Sequence, residues 1–164
     1  MKEHSLQQAK KIAGYAISSR KNFAALMKCF FYPEYRLSQR AAWAVCHAVE
    51  QCPQMIEPYL EALVTQLHRK NLHNAIIRNS VRILQDIEIP EKLHGEVLNI
   101  CFGFIAEPTT PIAVKAFSLS ILDNLGKKYP EILPELKLII EDRWDNETPA
   151  FHSRARKILK KMKF

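Results

Sequence analysis

The chain has 164 residues, 48% of them apolar and 25% charged, with a formal charge of +7, the size and composition of one soluble globular domain with a substantial core. Four glycines against nine prolines argue against a phosphate-cradling loop, and no apolar run approaches the roughly 18 residues that a membrane span needs. Cys29, Cys46, Cys52 and Cys101 lie in apolar stretches without CxxC spacing or a histidine at ligand spacing, which excludes a zinc site and predicts reduced, buried thiols. The N-terminus, Met1-Lys2-Glu3-His4-Ser5, leads into an amphipathic segment without an apolar signal region, so the expected compartment is the cytoplasm. The charge is uneven: residues 1–50 carry eight basic and three acidic groups, and residues 151–164 six basic groups and no acid.

In chain order, Ser5 predicts the N-cap of a first helix running to about Arg20, with Leu6, Ala9, Ile12, Ala13, Ala16 and Ile17 as its buried stripe. A second helix, about Asn22 to Phe31, stops at Tyr32-Pro33-Glu34. The third starts at Ser38 or already at Tyr35-Arg36. Leu37, Ala41, Ala44, Val45, Ala48, Val49 and Cys52 fall on one of its sides; Arg36, Arg40, Trp43, His47 and Glu50 run down another, at steps of three or four. Pro53 precedes a helix from Met55 to His68, with Ile56, Tyr59, Leu60, Leu63, Val64 and Leu67 inward; a polar turn, His68 to Asn71, separates it from Ala75 to Ile87.

Pro90 opens a helix with Leu93, Val97, Leu98, Ile100, Cys101, Phe104 and Ile105 inward, closed by Glu107-Pro108. Thr110-Pro111 reads as an N-cap and an N1 proline, and Gly126 as the C-cap after Leu125. Pro130 and Pro134 lie in the first turns of the next helix; Asp145 to Pro149 is a turn, and the last helix runs from about Ala150 to Lys163. No segment alternates as a strand would, so nine helices make an all-α chain.

Arg40, Arg78, Lys115 and Arg154 recur at separations of 38, 37 and 39 residues, each followed by an apolar helix. A period near 40 with two helices per copy is that of HEAT and armadillo arrays. The stretch from Tyr32 to Val45 resembles a HEAT repeat's inter-helix turn and second helix. Glu34, six positions before Arg40, fits the acidic residue that in this family caps and pairs across the turn. Later copies carry Leu72, Thr109 and Thr148 at that position. The resemblance, to short bacterial HEAT-like proteins, covers about residues 20–163. It implies a right-handed α-α superhelix, a solenoid of about four helical hairpins plus an N-terminal capping helix. The whole of 1–164 would form one domain, with the cap at 5–20 and repeats at about 21–52, 53–89, 90–127 and 128–164. One pair cannot bury both its apolar faces, so pairs stack on their neighbours.

Two sets of residues are candidates for binding. In HEAT-like repeats the second helices line the concave face, which places Arg36, Arg40, Trp43, His47, Arg78, Arg82 and Lys115 there. An indole flanked by arginines can stack on a base or anchor a partner's side chain. Against this, Trp43 can equally pack between repeats, Arg40 can bond Glu34, and the other cations can be solvated or inter-repeat charges. The second set is the C-terminal helix, where Arg154, Arg156, Lys157, Lys160, Lys161 and Lys163 surround the narrow stripe Ala155, Ile158, Leu159 and Met162. It suits a phosphate backbone or, alternatively, a polar cap on the last repeat whose cations favour a helix C-terminus.

Catalysis finds no support. His4, His47, His68, His73, His94 and His152 include no pair at helical ligand spacing, and GxSxG, Walker and GxGxxG motifs are absent. HEAT-like DNA glycosylases gather aromatics and an Asp on a basic concave face, whereas Asp86 and Asp123 here have no aromatic beside them. A lyase of the adenylosuccinate type needs a long bundle and a Ser-rich loop that this sequence lacks. The expected function is therefore a non-enzymatic interaction module for another protein, with nucleic-acid binding as the alternative. No cofactor, metal, membrane contact or small-molecule substrate is expected.

Overall fold

The structure, a computed structural model, describes residues 5–162. Among them there are nine α-helices and no strand: α1 Leu6–Ala16, α2 Arg20–Phe30, α3 Tyr35–Gln51, α4 Leu60–Gln66, α5 Asn74–Asp86, α6 Glu91–Ala106, α7 Ile112–Gly126, α8 Leu133–Arg143 and α9 Pro149–Lys161. Neighbouring helices pack in pairs, as in a HEAT-like helical solenoid. The contacts divide the chain into two compact units, Met1–Ile83 and Leu84–Phe164, the division falling inside α5.

In the N-terminal unit α3 packs on both α1 and α2. Ala9, Ala13 and Ala16 of α1 and Ala41, Ala44 and Ala48 of α3 are buried; small side chains let the helices approach closely. Phe23, Met27 and Phe30 of α2 fill the remaining space. The Ser5 hydroxyl accepts from the N–H of Gln8, the cap expected there. The first helix nonetheless stops at Ala16, short of Arg20. Ser19 is extended and caps α2 by accepting from the N–H of Asn22, while the Ser18 hydroxyl donates to Tyr15 O. Leu6 and Ile12, expected in the buried stripe, are largely exposed. Glu34 caps α3 through the N–H of Arg36, so helix already begins at Tyr35.

The helix expected from Met55 to His68 is not continuous. Pro53–Met55 and Glu57–Tyr59 wind as 3₁₀ turns, and α-helix starts at Leu60. Pro58 has no N–H to donate and its ring obstructs an α turn before it. In the following turn Asn71 takes a left-handed φ of 65°, a conformation asparagine tolerates.

In the C-terminal unit α7 packs on α6 and α9, and α6 on α8. Val97, Cys101 and Ile105 of α6 and Val114, Leu119 and Leu122 of α7 are buried in a core that also holds Leu136, Ile140, Phe151 and Ile158. Leu98, Ile100 and Phe104, expected inward, are half-buried. The buried His94 donates from Nε2 to Ile89 O (2.7 Å), which leaves Nδ1 to accept from the Tyr129 hydroxyl (2.9 Å). Pro111 itself, with no side-chain hydrogen bond, takes the cap position expected for Thr110. Gly126 is helical with a negative φ, not a left-handed cap. Its missing Cβ leaves room for Leu133, whose Cδ2 would lie 2.7 Å from such an atom. At α9 the Thr148 hydroxyl accepts from the N–H of Phe151.

Candidate functional site

Within the N-terminal unit α3 and α5 run side by side in the same direction. The rings of Tyr35 and His73 stack at 5.6 Å, Cys46 Sγ donates to Asn79 Oδ1 (3.2 Å), and Arg82 donates to Glu50 Oε1 (2.5 Å). The stripe expected on α3 is real but unevenly exposed. Arg36 and Arg40 are exposed, Trp43 is half-buried with its ring 6.0 Å from that of His47, and His47 is buried. The Arg36 guanidinium donates from Nε to the Tyr35 hydroxyl (3.3 Å), a bond that raises its pKa above the ordinary value. His47 donates from Nδ1 to Glu50 Oε2 (2.9 Å), and Glu50 in turn holds the half-buried Arg82. His47, Glu50 and Arg82 are thus one linked group. Arg78 stays exposed. The pairing expected between Glu34 and Arg40 does not form among the described residues, because the Glu34 carboxylate is turned to the N–H of Arg36.

Lys115 departs most from expectation. It does not continue an exposed face: its side chain is 4% exposed, and Nζ donates to Glu147 Oε1 (2.5 Å) and Pro108 O (3.2 Å). The Glu147 side chain is only 3% exposed and also accepts from Arg143 Nη2 (3.1 Å). This buried cluster ties α7 to the turns before α7 and α9. It leaves Lys115 no surface for a partner.

The second helices α7 and α9 are also parallel, as Ser120 meets Arg154 and Asp123 meets Lys161. Along them and the end of α5 runs a polar groove of about 650 Å³, whose lining includes Asp86, Ser120, Asp123, Arg154, Lys157 and Lys161. Apart from Lys157, its cations are held by neighbours. Arg154 Nε donates to the Ser120 hydroxyl (3.0 Å) while its guanidinium lies 5.5 Å over Phe117, and Lys161 Nζ donates to Asp123 Oδ2 (2.5 Å). Asn124 Nδ2 donates to Gln85 O (3.1 Å). Outside the groove Arg156 lies 5.6 Å over Trp144, which stacks on His152 at 4.4 Å. Lys157 and Lys160 are exposed, and Lys163 and His4 lie outside the described residues.

Glu50, Glu147 and Asp123 are the carboxylates that organise these faces, and periodicity assigns none of them a partner: Glu50 reads only as a member of the α3 stripe, and Asp123 only as an acid without an aromatic beside it. Asp123 stands 38 residues, one repeat, before Lys161, and opposite charges at that separation on successive second helices are the signal that could have found this pair; Glu50 and Glu147 lie 32 residues from Arg82 and Lys115 and leave no such signal. The units also differ in charge. The N-terminal one has twelve basic and five acidic residues, the C-terminal one twelve of each, so the whole surplus of +7 lies in the first.

Among the described residues no group of three or more His, Cys, Asp or Glu is placed to hold a metal ion, and no helix is long and apolar enough to cross a membrane. Burial pushes the Cys101 thiol up to about 12, against a smaller opposing effect of the Ser118 hydroxyl. No curated protein and no solved structure gives a significant match. The sequence pattern of the HEAT repeat domain matches residues 1–162. With that match over nearly its whole length, and with helices packed in neighbouring pairs at a period near 40, the chain belongs to the HEAT repeat family.

Proposed function

We propose that the chain is a non-enzymatic, cytoplasmic scaffold module that holds a partner protein on the exposed face of its second helices, the concave face of a HEAT solenoid. HEAT repeats generally mediate protein–protein interaction, and the family is typically non-enzymatic. The observation that carries the assignment to this face is the polar groove along α7 and α9. Arg154, Lys161 and Asn124 are already immobilised there by Ser120, Asp123 and Gln85, so a partner would find polar groups whose ordering is complete before it arrives. Lys157 lines the same groove and remains exposed for a contact.

The test is site-specific photo-crosslinking in cells, with a benzophenone amino acid at Lys157 in the groove, at Arg78 on the other second-helix face, or at Asn99 on a first helix. Protein adducts are expected from the first two positions and not from Asn99. Adducts from Asn99 alone would move the partner to the first helices.

The surplus charge of the N-terminal unit favours one further reading, a nucleic-acid partner. The basic C-terminal helix supports it less, because Arg154, Arg156 and Lys161 are engaged with Ser120, Trp144 and Asp123. Fluorescence anisotropy with short duplex DNA and RNA, at about 50 and about 200 mM salt, should show no steep salt-dependent binding if the partner is a protein. Substitution is the suitable variant for that assay. Removing α9 would uncover the core around Phe151, Ala155 and Ile158.

A further inference from the structure

We propose that the α3/α5 face of the N-terminal unit takes an extended acidic segment of the partner protein; this rests on the reading above that the second helices hold a protein. Arg36 and Arg40 stand on α3 about two turns and one turn before Trp43, respectively, and share its stripe, and Arg78 stands on the parallel α5. All three arginines are exposed, and none of them makes an ion pair among the described residues. Arg36 is oriented by Tyr35, which itself stacks on His73. A guanidinium offers a carboxylate two parallel donors, and a half-buried indole offers a fixed flat surface to an apolar side chain. An anionic chain with an interspersed apolar residue matches that arrangement.

The carboxylates at the ends of α3 decide which anionic chain. Glu34 caps its start and Glu50 sits near its end, so the basic strip is bracketed over about 24 Å at 1.5 Å of rise per residue. That is the reach of roughly seven residues of extended peptide. A nucleic-acid strand carries phosphates at uniform spacing and would run past both carboxylates. A peptide can confine its acids to the middle and pass the ends with uncharged residues.

The experiment is fluorescence anisotropy on the full chain at about 50 mM salt. One probe is a labelled peptide of about ten residues, glutamates around a central phenylalanine; the other is a labelled single-stranded DNA of equal length. Arg36→Glu/Arg40→Glu/Arg78→Glu is compared with Lys10→Glu/Lys11→Glu/Lys28→Glu, which changes the net charge equally on α1 and α2. A second strip variant with glutamine in place of glutamate serves if the first does not fold. The peptide should bind wild type more tightly than the DNA does. It should lose about tenfold or more in the strip variant and less than about twofold in the control. Equal losses in both variants, which would mean attraction by net charge alone, overturn the proposal. So do DNA binding tighter than the peptide and no peptide binding at all. Protein crosslinks from Arg78 or Lys157 without peptide binding would remove the acidic class alone. No protein crosslink from either would remove the protein-binding reading as well.

Discussion

Lys115 Nζ lies 2.5 Å from Glu147 Oε1, with both side chains almost wholly withdrawn from solvent. The two partners are not equivalent. Without Lys115, Glu147 keeps the Arg143 guanidinium; without Glu147, the buried ammonium keeps only Pro108 O. Glu147→Ala should therefore cost about 3–5 kcal/mol, and Lys115→Met no more than about 2 kcal/mol. Urea denaturation of the two variants measures the difference. Equal losses would mean that Arg143 does not sustain the carboxylate alone.

The three glycines of α6 and α7 divide by what surrounds them. A Cβ at Gly95 or Gly103, both exposed within α6, would meet nothing within 4 Å, so alanine there should stabilise by about 0.5–1 kcal/mol through helix propensity. At Gly126 the same gain is opposed by the contact with Leu133. Thermal melting should rank Gly95→Ala and Gly103→Ala above wild type, with Gly126→Ala at or below it. A Gly126→Ala variant as stabilised as the other two would show that Leu133 yields without cost.

Trp43 is half-buried and rests against His47, which places it between a core residue and a surface anchor. Trp43→Ala should cost about 2 kcal/mol or less, against 3–5 for a fully buried ring, while weakening partner binding. A melting loss in the upper range would make the indole part of the core and take the anchor away from the α3/α5 face.

The cysteines should separate by burial. Alkylation at pH 8 should reach the half-buried Cys29 and Cys52 first, and the buried Cys46 and Cys101 only on unfolding. Cys101 also has a pH signature. Its folded pKa is raised, so the folded chain holds that proton more firmly than the unfolded one. Its contribution to stability is complete below the ordinary value of 9.0 and is lost as the pH rises toward about 12. Wild type should lose stability through that window faster than Cys101→Ala, and parallel curves would refute the assignment.

Much of the helical register was legible. Ala41, Ala44 and Ala48 of α3, Ile56 with Leu60, Leu63 and Val64, and Leu93, Val97, Cys101 and Ile105 of α6 are buried as periodicity predicts. The misses have local causes. Pro58 and the Ser18-Ser19 pair interrupt segments whose apolar pattern runs straight through them, because a missing N–H or a competing hydroxyl leaves the apolar pattern unchanged. Gly126 carries the composition of a C-cap, but the side chain that needs its missing Cβ comes from Leu133, seven positions on.

By itself the sequence determined the helical content, the period near 40 and the membership in a repeat family, all of which are written in spacings along one chain. Tertiary structure alone decided which cations of the second helices are surface. Lys115 occupies the same place in the repeat as Arg40 and Arg78, yet it is buried because Glu147, from a turn 32 residues away, is positioned to receive it. Periodicity sets the direction of a side chain about its own helix axis. What stands opposite, carboxylate or water, depends on how neighbouring helices and turns come together, and that decides whether a charge is held inside or offered to a partner.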